Sequence, residues 1–285
     1  MVYTEINRTS SPKRRNHLLI CLCVVLMAIV ILSVTLGLTL GTSSSSSLKA
    51  TFTNRCQTYL KDNGATTSQN DCEKIWESFK QAFVGRNPCD VPPDAYDSLL
   101  HRVSHDPACN RMLFWSKTKE IVHAFTEKRS CYLTLEDTLL GFTLDGLTWC
   151  GKNESQETFT TGCPGWSDCV NNPVRSFWNG ASAAFAASAC GDASVMLNGS
   201  IDMPFNPTSI FASVEVKHFH SSIMNGLTVL LVTKETDTKT CGSDASLKDL
   251  QSQLDPKLKY TCKIVPQSKI QNCISQPQIA CGDCW

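Results

Sequence analysis

The sequence predicts an α/β protein with α+β character, in which a mainly helical N-terminal lobe precedes a C-terminal lobe with a short, mostly parallel sheet and flanking helices. Two patterns predict these lobes: helical periodicity over about 55–160, and β-branched runs alternating with helices over about 161–285. The 16 cysteines add a disulfide-rich framework. An uncharged apolar run near the amino terminus predicts one transmembrane helix.

That apolar run, Leu18–Leu40, is long enough to cross a hydrocarbon core of about 30 Å. A secretory signal peptide is the alternative, but its apolar region is shorter, about 7–15 residues. Basic residues at 13–15 precede the run, so the positive-inside rule places residues 1–17 in the cytosol. We therefore expect a single-pass type II protein of the plasma membrane with a signal anchor at 18–40, a Ser-rich linker at 41–54 and an extracellular domain at 55–285.

Charge and glycine patterns exclude several classes of function. Of the 26 basic and 26 acidic residues, four basic and one acidic lie in 1–41, which leaves 22 and 25 beyond it. This nearly neutral remainder lacks the basic face of a nucleic-acid-binding protein. The chain has no Gly-x-Gly-x-x-Gly stretch and no phosphate-loop sequence, so a redox dinucleotide or kinase-type site has no support. A nucleotide can still bind as a substrate.

Three segments of the N-terminal half have helical character, around 70–84, 110–127 and 134–145. In the second, large side chains recur three or four residues apart, which indicates an amphipathic helix. They are Met112, Trp115, Lys119, Val122 and Phe125. The third begins at Thr134, which has N-cap character, and acidic residues follow in its first turn.

Beyond Cys163 the pattern changes. Pro173 opens a predicted helix through 174–189, and Leu247–Leu254 is also helical in pattern. The β-branched runs predicted as strands are Ser194–Leu197, Ala212–Val216, Leu227–Thr233 and Tyr260–Val265. Ligands favour the carboxyl ends of such strands, and Glu215 lies near one of them. His218 and His220 would share a strand face, but two imidazoles do not make a metal site.

The cysteines divide by topology. Cys21 and Cys23 lie in the apolar run, whereas the other 14 would be extracellular and form up to seven disulfides. Cys281-Gly-Asp-Cys284 has a spacing compatible with a zinc or redox pair, but no second pair stands at zinc-finger distance, so no metal is predicted. Glycosylation sequons at Asn153 and Asn198 agree with this topology, and the one at Asn7 would be cytosolic and unused.

Carboxylates and tryptophans are the candidate chemical groups. The carboxylates are Glu136, Asp137, Asp145 and Glu215, and the tryptophans are Trp115, Trp149, Trp166 and Trp178. Taken singly, each has a bland explanation: a glutamate on an edge strand is solvated, and a tryptophan more often packs in a core. Carboxylates also suit glycosidic chemistry, because they stabilise the positive charge left on a sugar when its substituent departs.

Several motifs occur in order and together resemble the ADP-ribosyl cyclase/cyclic ADP-ribose hydrolase family. They are Thr134-Leu-Glu-Asp-Thr-Leu-Leu-Gly141, Leu147-Thr-Trp-Cys150, Asn171-Asn-Pro-Val174 with Phe177-Trp178, Val195-Met-Leu-Asn-Gly-Ser200, and Phe211-Ala-Ser-Val-Glu-Val216. The resemblance covers about residues 55–281, and the topology is similar to that of the family's vertebrate type II surface NAD glycohydrolase.

The resemblance implies roles for individual residues. Glu215 would be the catalytic glutamate that holds the ribose hydroxyls and stabilises a ribosyl intermediate, while Trp115 and Trp178 would stack on substrate rings. Glu136 and Asp145 would contact nicotinamide. Further residues would line the substrate and phosphate region, namely Ser116, Lys117, Ser182, Ile210 and Phe211.

Two positions depart from the family pattern. Lys117 stands where close relatives have Arg, so a bidentate phosphate contact becomes a point charge and substrate affinity would weaken. Ile210 replaces a polar Thr. Our hypothesis is that its apolar bulk reduces water access to the intermediate and favours cyclisation over hydrolysis.

The resemblance also implies disulfides. They are Cys56–Cys72, Cys89–Cys169, Cys109–Cys190, Cys150–Cys163, Cys241–Cys262 and a bond from Cys273 to either Cys281 or Cys284. Cys131 and the remaining cysteine of the Cys281/Cys284 pair are left over. They could bond to each other, or Cys131 could be free or intermolecular.

The function implied is that of an ectoenzyme, both hydrolase and transferase, that converts NAD to ADP-ribose and cyclic ADP-ribose, hydrolyses cyclic ADP-ribose and so serves calcium signalling. NAD is consumed as substrate, so no cofactor is expected. Besides these nucleotides, the membrane and a homodimer or surface protein are the partners considered, with no nucleic acid. The alternative is a weakly active or inactive surface receptor or adhesion protein with the same fold.

Overall fold

Four parallel strands in sequential order form the central sheet of a computed structural model that describes residues 48–64, 69–103 and 109–285. The strands are β1 (Leu113–Ser116), β2 (Gly191–Asn198), β3 (Met224–Thr233) and β4 (Lys259–Pro266). The mixed fold class, the parallel sheet and the wealth of disulfides are thus confirmed.

The predicted cytosolic tail, the membrane helix and part of the linker lie outside the described residues. Among the helices that can be described, none combines the length and the apolar character needed to cross a membrane. Residues 48–54, which we placed in the linker, are helical and belong to the first helix.

Both faces of the sheet are buried, as is usual for parallel strands. Side chains alternate between the faces because successive residues of a strand point in opposite directions. One apolar cluster contains Phe114, Val195, Leu197, Val229 and Leu231. The other contains Leu113, Met196, Leu230, Val232 and Val265.

Helices dominate the N-terminal half, as predicted. They are α1 (48–62), α2 (Gln69–Gln81), α3 (Asp97–Arg102), α4 (Lys119–Lys128) and α5 (Leu139–Leu144). Their core is aromatic. Phe79 packs against Phe52 and Trp149 with ring centroids 5.2 and 5.1 Å apart, and the Trp149 indole N–H donates to the Tyr96 hydroxyl at 2.9 Å.

The predicted helix over 110–127 is wrong in its first half. Residues 113–116 form β1, which pairs with β2, and the helix begins only at Lys119. Met112 and Trp115 match the helical spacing by coincidence. Leu113 and Phe114 decide the outcome, because each is buried on a different face of the sheet.

The predicted helix over 134–145 is interrupted. A 3-10 turn, Leu135–Asp137, is followed by α5, and Thr138 caps the second helix by accepting a hydrogen bond from the Gly141 N–H at 3.3 Å. Thr134 and Asp137 form the capping box of the 3-10 turn. Gly141 allows the two pieces to pack closely, since a Cβ there would overlap the Leu135 carbonyl.

The predicted strand over 212–216 is also wrong. A short helix, α7 (Ile210–Ser213), runs into a 3-10 turn, Glu215–His218. Ser209 caps α7 by accepting a hydrogen bond from the Ala212 N–H at 3.2 Å, a local interaction that outweighs two β-branched residues. Glu215 therefore does not end a strand. His218 and His220 are exposed but share no strand face.

Two helices and three strands beyond Cys163 agree with the predictions, whereas the helix over 267–275 was not predicted. α6 (Pro173–Ala187) begins at Asn172, whose side chain accepts a hydrogen bond from the Arg175 N–H at 2.9 Å. α8 (Ala245–Gln253) precedes β4, and α9 (Gln267–Ser275) follows it. The strands β2, β3 and β4 contain the other three predicted runs.

Seven disulfides join the described cysteines. Five match the pairs implied by the resemblance, namely Cys56–Cys72, Cys89–Cys169, Cys109–Cys190, Cys150–Cys163 and Cys241–Cys262. The open alternatives resolve as Cys273–Cys284 and Cys131–Cys281.

Residues 273–285 are held against α4 by several interactions, which we call the C-terminal clamp. Arg129 is buried and donates hydrogen bonds to the carbonyls of Cys273 at 3.2 Å and Gln276 at 3.1 Å, and also to the carbonyl of Ile279. The ring of Trp285 lies 5.0 Å from that of Phe125. The clamp thus combines a disulfide, a buried cation and aromatic packing.

Candidate active site

A cavity of about 530 Å³ opens between β1 and helices α6 and α7. All ten residues that the sequence assigns to catalysis or substrate binding line it. They are Trp115, Ser116, Lys117, Glu136, Asp145, Trp178, Ser182, Ile210, Phe211 and Glu215. Segments separated by a hundred residues of sequence therefore contribute to one site.

The first wall belongs to α6. Trp178 and Ser182 are four residues apart on this helix and so lie on the same face, toward the cavity. Ser182 is buried and hydrogen-bonds the Glu215 carboxyl group. The cap at Asn172 and the proline at the first helical position fix where α6 begins, and hence which side chains face the cavity.

Glu215 is the most deeply buried acid of the site, with a relative exposure of 7%. Burial raises its pKa to about 8, the Ser182 hydrogen bond opposes that rise, and the nearby charge of Glu136 adds to it. The carboxyl group of the free protein is therefore mainly neutral at pH 7. A cationic ligand beside it would favour the charged form.

Glu136 has the opposite character. The Trp115 indole N–H donates to its Oε2 at 3.2 Å, and His123 Nε2 lies 3.5 Å from the same oxygen. Burial alone would raise its pKa, but His123 and Trp115 more than offset this effect, and the pKa is lowered. Glu136 is thus a fixed anion that faces the cavity.

Asp145 lies at the mouth of the cavity, directly after α5. Lys119 Nζ contacts its carboxylate at 2.9 Å, and Arg55 donates to its backbone carbonyl at 2.7 Å. The ion pair is half-exposed and contributes little to stability, about 0–1 kcal/mol. It fixes the position of the carboxylate at the entrance.

Lys117 connects the site to the edge of the sheet. Its backbone has a left-handed conformation with φ of 59°, uncommon for a residue with a side chain. Its carbonyl accepts a hydrogen bond from Asn198 Nδ2 at 3.2 Å, and the neighbouring Thr118 hydroxyl donates to the Met196 carbonyl at 3.1 Å. The ends of β1 and β2 therefore hold this corner in place.

Several further residues line or adjoin the site. Trp166, one of the candidate tryptophans but without an assigned role, lines the cavity and is 44% exposed, and Thr208 and Ser209, which the sequence did not indicate, line it beside α7. His123 contacts Glu136 from outside the cavity lining, and only its position four residues after Lys119 would have indicated this. Asp137, an acidic candidate, serves instead in the capping box.

The arrangement suits a ligand that combines flat rings, a sugar and phosphate. Indole rings from two walls offer stacking surfaces, lysines at the mouth offer positive charge, and carboxyl groups lie at the base and side. Among the described residues, no group of three or more His, Cys, Asp or Glu side chains could hold a metal ion.

Comparisons with known proteins agree with this description. The model of the ADP-ribosyl cyclase family matches residues 45–282. The chain is 38% identical over 213 residues to ADP-ribosyl cyclase/cyclic ADP-ribose hydrolase 1 of Rattus norvegicus, covering 73% of this chain and 70% of the relative. It is 30% identical over 223 residues to ADP-ribosyl cyclase/cyclic ADP-ribose hydrolase 2 of Homo sapiens. This match covers 77% of this chain and 70% of the relative.

A solved structure of porcine CD38, complexed with a covalent ribo-F-ribose-5'-phosphate intermediate, matches with a TM-score of 0.72 and 36% identity. The match covers 78% of this chain and 97% of that structure.

Proposed function

Because the chain belongs to the ADP-ribosyl cyclase family, we propose that it cleaves the bond between nicotinamide and ribose in NAD, releasing ADP-ribose and cyclic ADP-ribose, and that it hydrolyses cyclic ADP-ribose. One observation carries the proposal to this chain. The buried carboxyl group of Glu215 lies in the same cavity as three tryptophans and a second, charged glutamate.

Cleavage starts with departure of a good leaving group. The nicotinamide of NAD is cationic, so when its bond to C1 of the ribose breaks, the electron pair stays on the ring nitrogen and nicotinamide leaves neutral. The positive charge passes to the ribose, and the Glu215 carboxylate stabilises it. No general acid is required. Glu215 must lose its proton for this step, which the cationic substrate favours.

The ribosyl intermediate then reacts with one of two nucleophiles. Water attacks C1 and loses a proton to give ADP-ribose. Attack by a ring nitrogen of the substrate's own adenine, in a folded intermediate, gives cyclic ADP-ribose. Hydrolysis of cyclic ADP-ribose follows the same course, with adenine nitrogen as the leaving atom and water as the nucleophile. NAD is the substrate, and no cofactor takes part.

The remaining cavity residues bind and orient the substrate. Trp115 and Trp178 stack on its rings, and Glu136 and Asp145 accept hydrogen bonds from the nicotinamide carboxamide. Lys117 neutralises phosphate charge as a single cation. The other cavity residues, Ser116, Ser182, Ile210 and Phe211, surround the ribose and phosphates.

The test is product analysis by liquid chromatography after incubating the purified full-length protein with NAD. Glu215→Gln keeps the shape of the side chain but removes its charge, so we expect nicotinamide release to fall by about 100-fold or more. The matched control is Glu157→Gln, because Glu157 is exposed and does not line the cavity. A folded wild type that binds NAD but releases no nicotinamide would contradict the proposal and favour a receptor role.

We further propose that the enzyme is a type II protein of the plasma membrane with its catalytic domain outside the cell. The support is the charge asymmetry around Leu18–Leu40 and the sequons after it. The test compares the shift in gel mobility on N-glycan removal between Asn153→Gln and Asn7→Gln. This topology predicts a smaller shift than that of wild type for Asn153→Gln and an unchanged shift for Asn7→Gln. A smaller shift for Asn7→Gln alone would show that the amino terminus lies outside the cell.

A further inference from the structure

One face of α4 presents two nitrogen groups to two carboxylates of the site. Lys119 and His123 are four residues apart and therefore adjacent on the helix surface. Lys119 contacts Asp145 at 2.9 Å, and His123 lies 3.5 Å from Glu136. The two carboxylates that the proposed function assigns to nicotinamide are thus both held by one helix.

His123 differs from Lys119 in where it lies. Lys119 lines the cavity and its side chain is 51% exposed, whereas His123 is absent from the lining and its side chain is 26% exposed. Its Nε2 atom is buried and, among the described residues, makes no other polar contact. The imidazole therefore acts on the site only through the carboxylate beside it.

The ring of His123 is oriented by packing as well. It meets the Trp115 ring edge to face, with centroids 5.5 Å apart and an interplanar angle of 86°. The indole N–H of Trp115 donates to the same Glu136 oxygen, Oε2, that His123 faces. Histidine, tryptophan and glutamate thus form a closed triangle in which each member restrains the other two.

Other charged groups near this triangle are engaged elsewhere or exposed. Asp137 binds Thr134 and accepts a hydrogen bond from the Thr126 hydroxyl at 3.2 Å. Glu120 and Glu127, on α4 itself, are exposed. Glu136 is therefore the one carboxylate of the described residues that His123 is placed to hold.

We propose that His123 is a positioning residue that fixes the Glu136 carboxylate for hydrogen bonding to nicotinamide and so sets the affinity of the site for that ring. This inference rests on the proposed function. A carboxylate that accepts a hydrogen bond from Trp115 and is approached by an imidazole nitrogen at 3.5 Å loses less rotational freedom when it binds an amide, which increases affinity. Loss of the imidazole nitrogen should act on the nicotinamide end alone, because that nitrogen faces Glu136, whereas the contact with Trp115 is made by the ring and is kept by phenylalanine.

The test compares two substitutions in the full-length enzyme. His123→Phe keeps the aromatic contact with Trp115 but removes the nitrogen, so we expect product inhibition by nicotinamide to weaken about tenfold. His123→Gln restores an N–H at similar reach and should return the nicotinamide inhibition constant to within about twofold of wild type. Inhibition by ADP-ribose, which lacks the ring, should be the same in all three proteins.

His220→Phe is the matched control, since His220 is exposed and far from the triangle in sequence. Should His123→Phe not fold, His123→Asn replaces it, because its side chain is too short to reach Glu136. An unchanged nicotinamide inhibition constant, or equal loss of inhibition by ADP-ribose, would overturn the positioning role. A wild type that releases no nicotinamide from NAD would overturn the proposed function instead, so the two failures are distinguishable.

Discussion

The two walls of the cavity each contain one glutamate, and they shift its pKa in opposite directions. On the wall formed by β1, α4 and residues 135–145, which we call the α4 wall, Glu136 receives a hydrogen bond and faces an imidazole, and its pKa is lowered. On the wall formed by α6 and α7, which we call the α6 wall, Glu215 is buried and its pKa rises to about 8.

This difference shows that the surroundings decide what a carboxyl group does. Glu136 is close to polar donors that favour its charged form, so it suits hydrogen bonding to an amide. Glu215 has little besides Ser182 to stabilise a charge, so it is a stronger base and responds most when positive charge appears beside it. A site with two equivalent glutamates would have neither property.

The largest expected effect concerns the pH dependence set by Glu215. A carboxyl group with a pKa of about 8 is mostly protonated below that pH, so kcat/KM for NAD should rise about tenfold per pH unit and level off above about 8. Steady-state rates measured from pH 5 to 9.5 give this dependence of kcat/KM on pH. A flat profile in this range would show that Glu215 is already ionised in the free enzyme.

Stability should vary with pH in the opposite sense. The folded pKa of Glu215, about 8, exceeds the ordinary value of 4.5, so the folded state binds the extra proton between these values. The contribution of the Glu215 carboxyl group to the free energy of unfolding is fully present below about pH 4.5 and is lost as the pH rises through about 8. Glu215→Gln should therefore be more stable than wild type at pH 9, by up to a few kcal/mol, and similar at pH 4.5.

Urea unfolding of both proteins at these two pH values measures the difference. A variant that is less stable than wild type at pH 9 would mean that the charged carboxylate has a stabilising partner in the folded protein.

The next effect couples the two walls. The negative charge of Glu136 contributes to the raised pKa of Glu215. Glu136→Gln should therefore lower that pKa, so that kcat/KM rises at lower pH than in wild type. It should also raise KM, because the nicotinamide contact is weakened. Asp145→Asn is the comparison variant: it is predicted to raise KM without changing the pH range over which kcat/KM rises. If kcat/KM of Glu136→Gln rises over the same pH range as that of wild type, the two walls act independently.

A smaller effect is expected at Ile210, which lines the α6 wall. Ile210→Thr should lower the ratio of cyclic ADP-ribose to ADP-ribose several-fold, because a hydroxyl admits water to the intermediate. Ile210→Val is the control, since valine has nearly the shape of threonine without the hydroxyl. Equal product ratios in the threonine and valine variants would remove polarity as the cause.

The smallest effect is expected at Lys117. Lys117→Arg should lower the KM for NAD by about two- to threefold, because a guanidinium can bind phosphate through two hydrogen bonds. Lys117→Gln, which removes the charge, should raise it. The inhibition constant of ADP-ribose should follow the same order, lowest in the arginine variant and highest in the glutamine variant, whereas that of nicotinamide should not change. A changed inhibition constant for nicotinamide would mean that Lys117 lies near the nicotinamide ring and not near the phosphates.

The sequence predicted the C-terminal lobe better than the N-terminal one for a physical reason. Strands β2 and β3 are buried on both faces and read as apolar runs, β4 at the sheet edge is a β-branched run, and α6 has a capped start. The errors fall where local and long-range interactions compete. Residues 113–116 match a helical spacing but pair with β2, and residues 210–216 contain valines but follow a serine cap.

The candidate site was predictable by resemblance and only in part by physics. Motifs identified the residues that line the cavity, because those residues recur in fixed local sequence. They could not identify His123, whose importance arises from a contact across the fold with Glu136. Nor could they choose the partner of Cys131, since the decision depends on where α4 places residues 129–131 relative to residues 273–285.

The C-terminal clamp has a consequence for how the protein is made. Arg129 precedes the carbonyls that satisfy it by 144 to 150 residues. At ordinary rates of translation, roughly ten to thirty seconds pass between the synthesis of the arginine and that of its partners. During that interval the guanidinium lacks the three carbonyls that bind it in the folded protein, and α4 lacks its contacts with residues 273–285. The helix that carries Lys119 and His123 therefore gains these contacts only after residues 273–279 have been synthesised, later than every segment that lines the cavity.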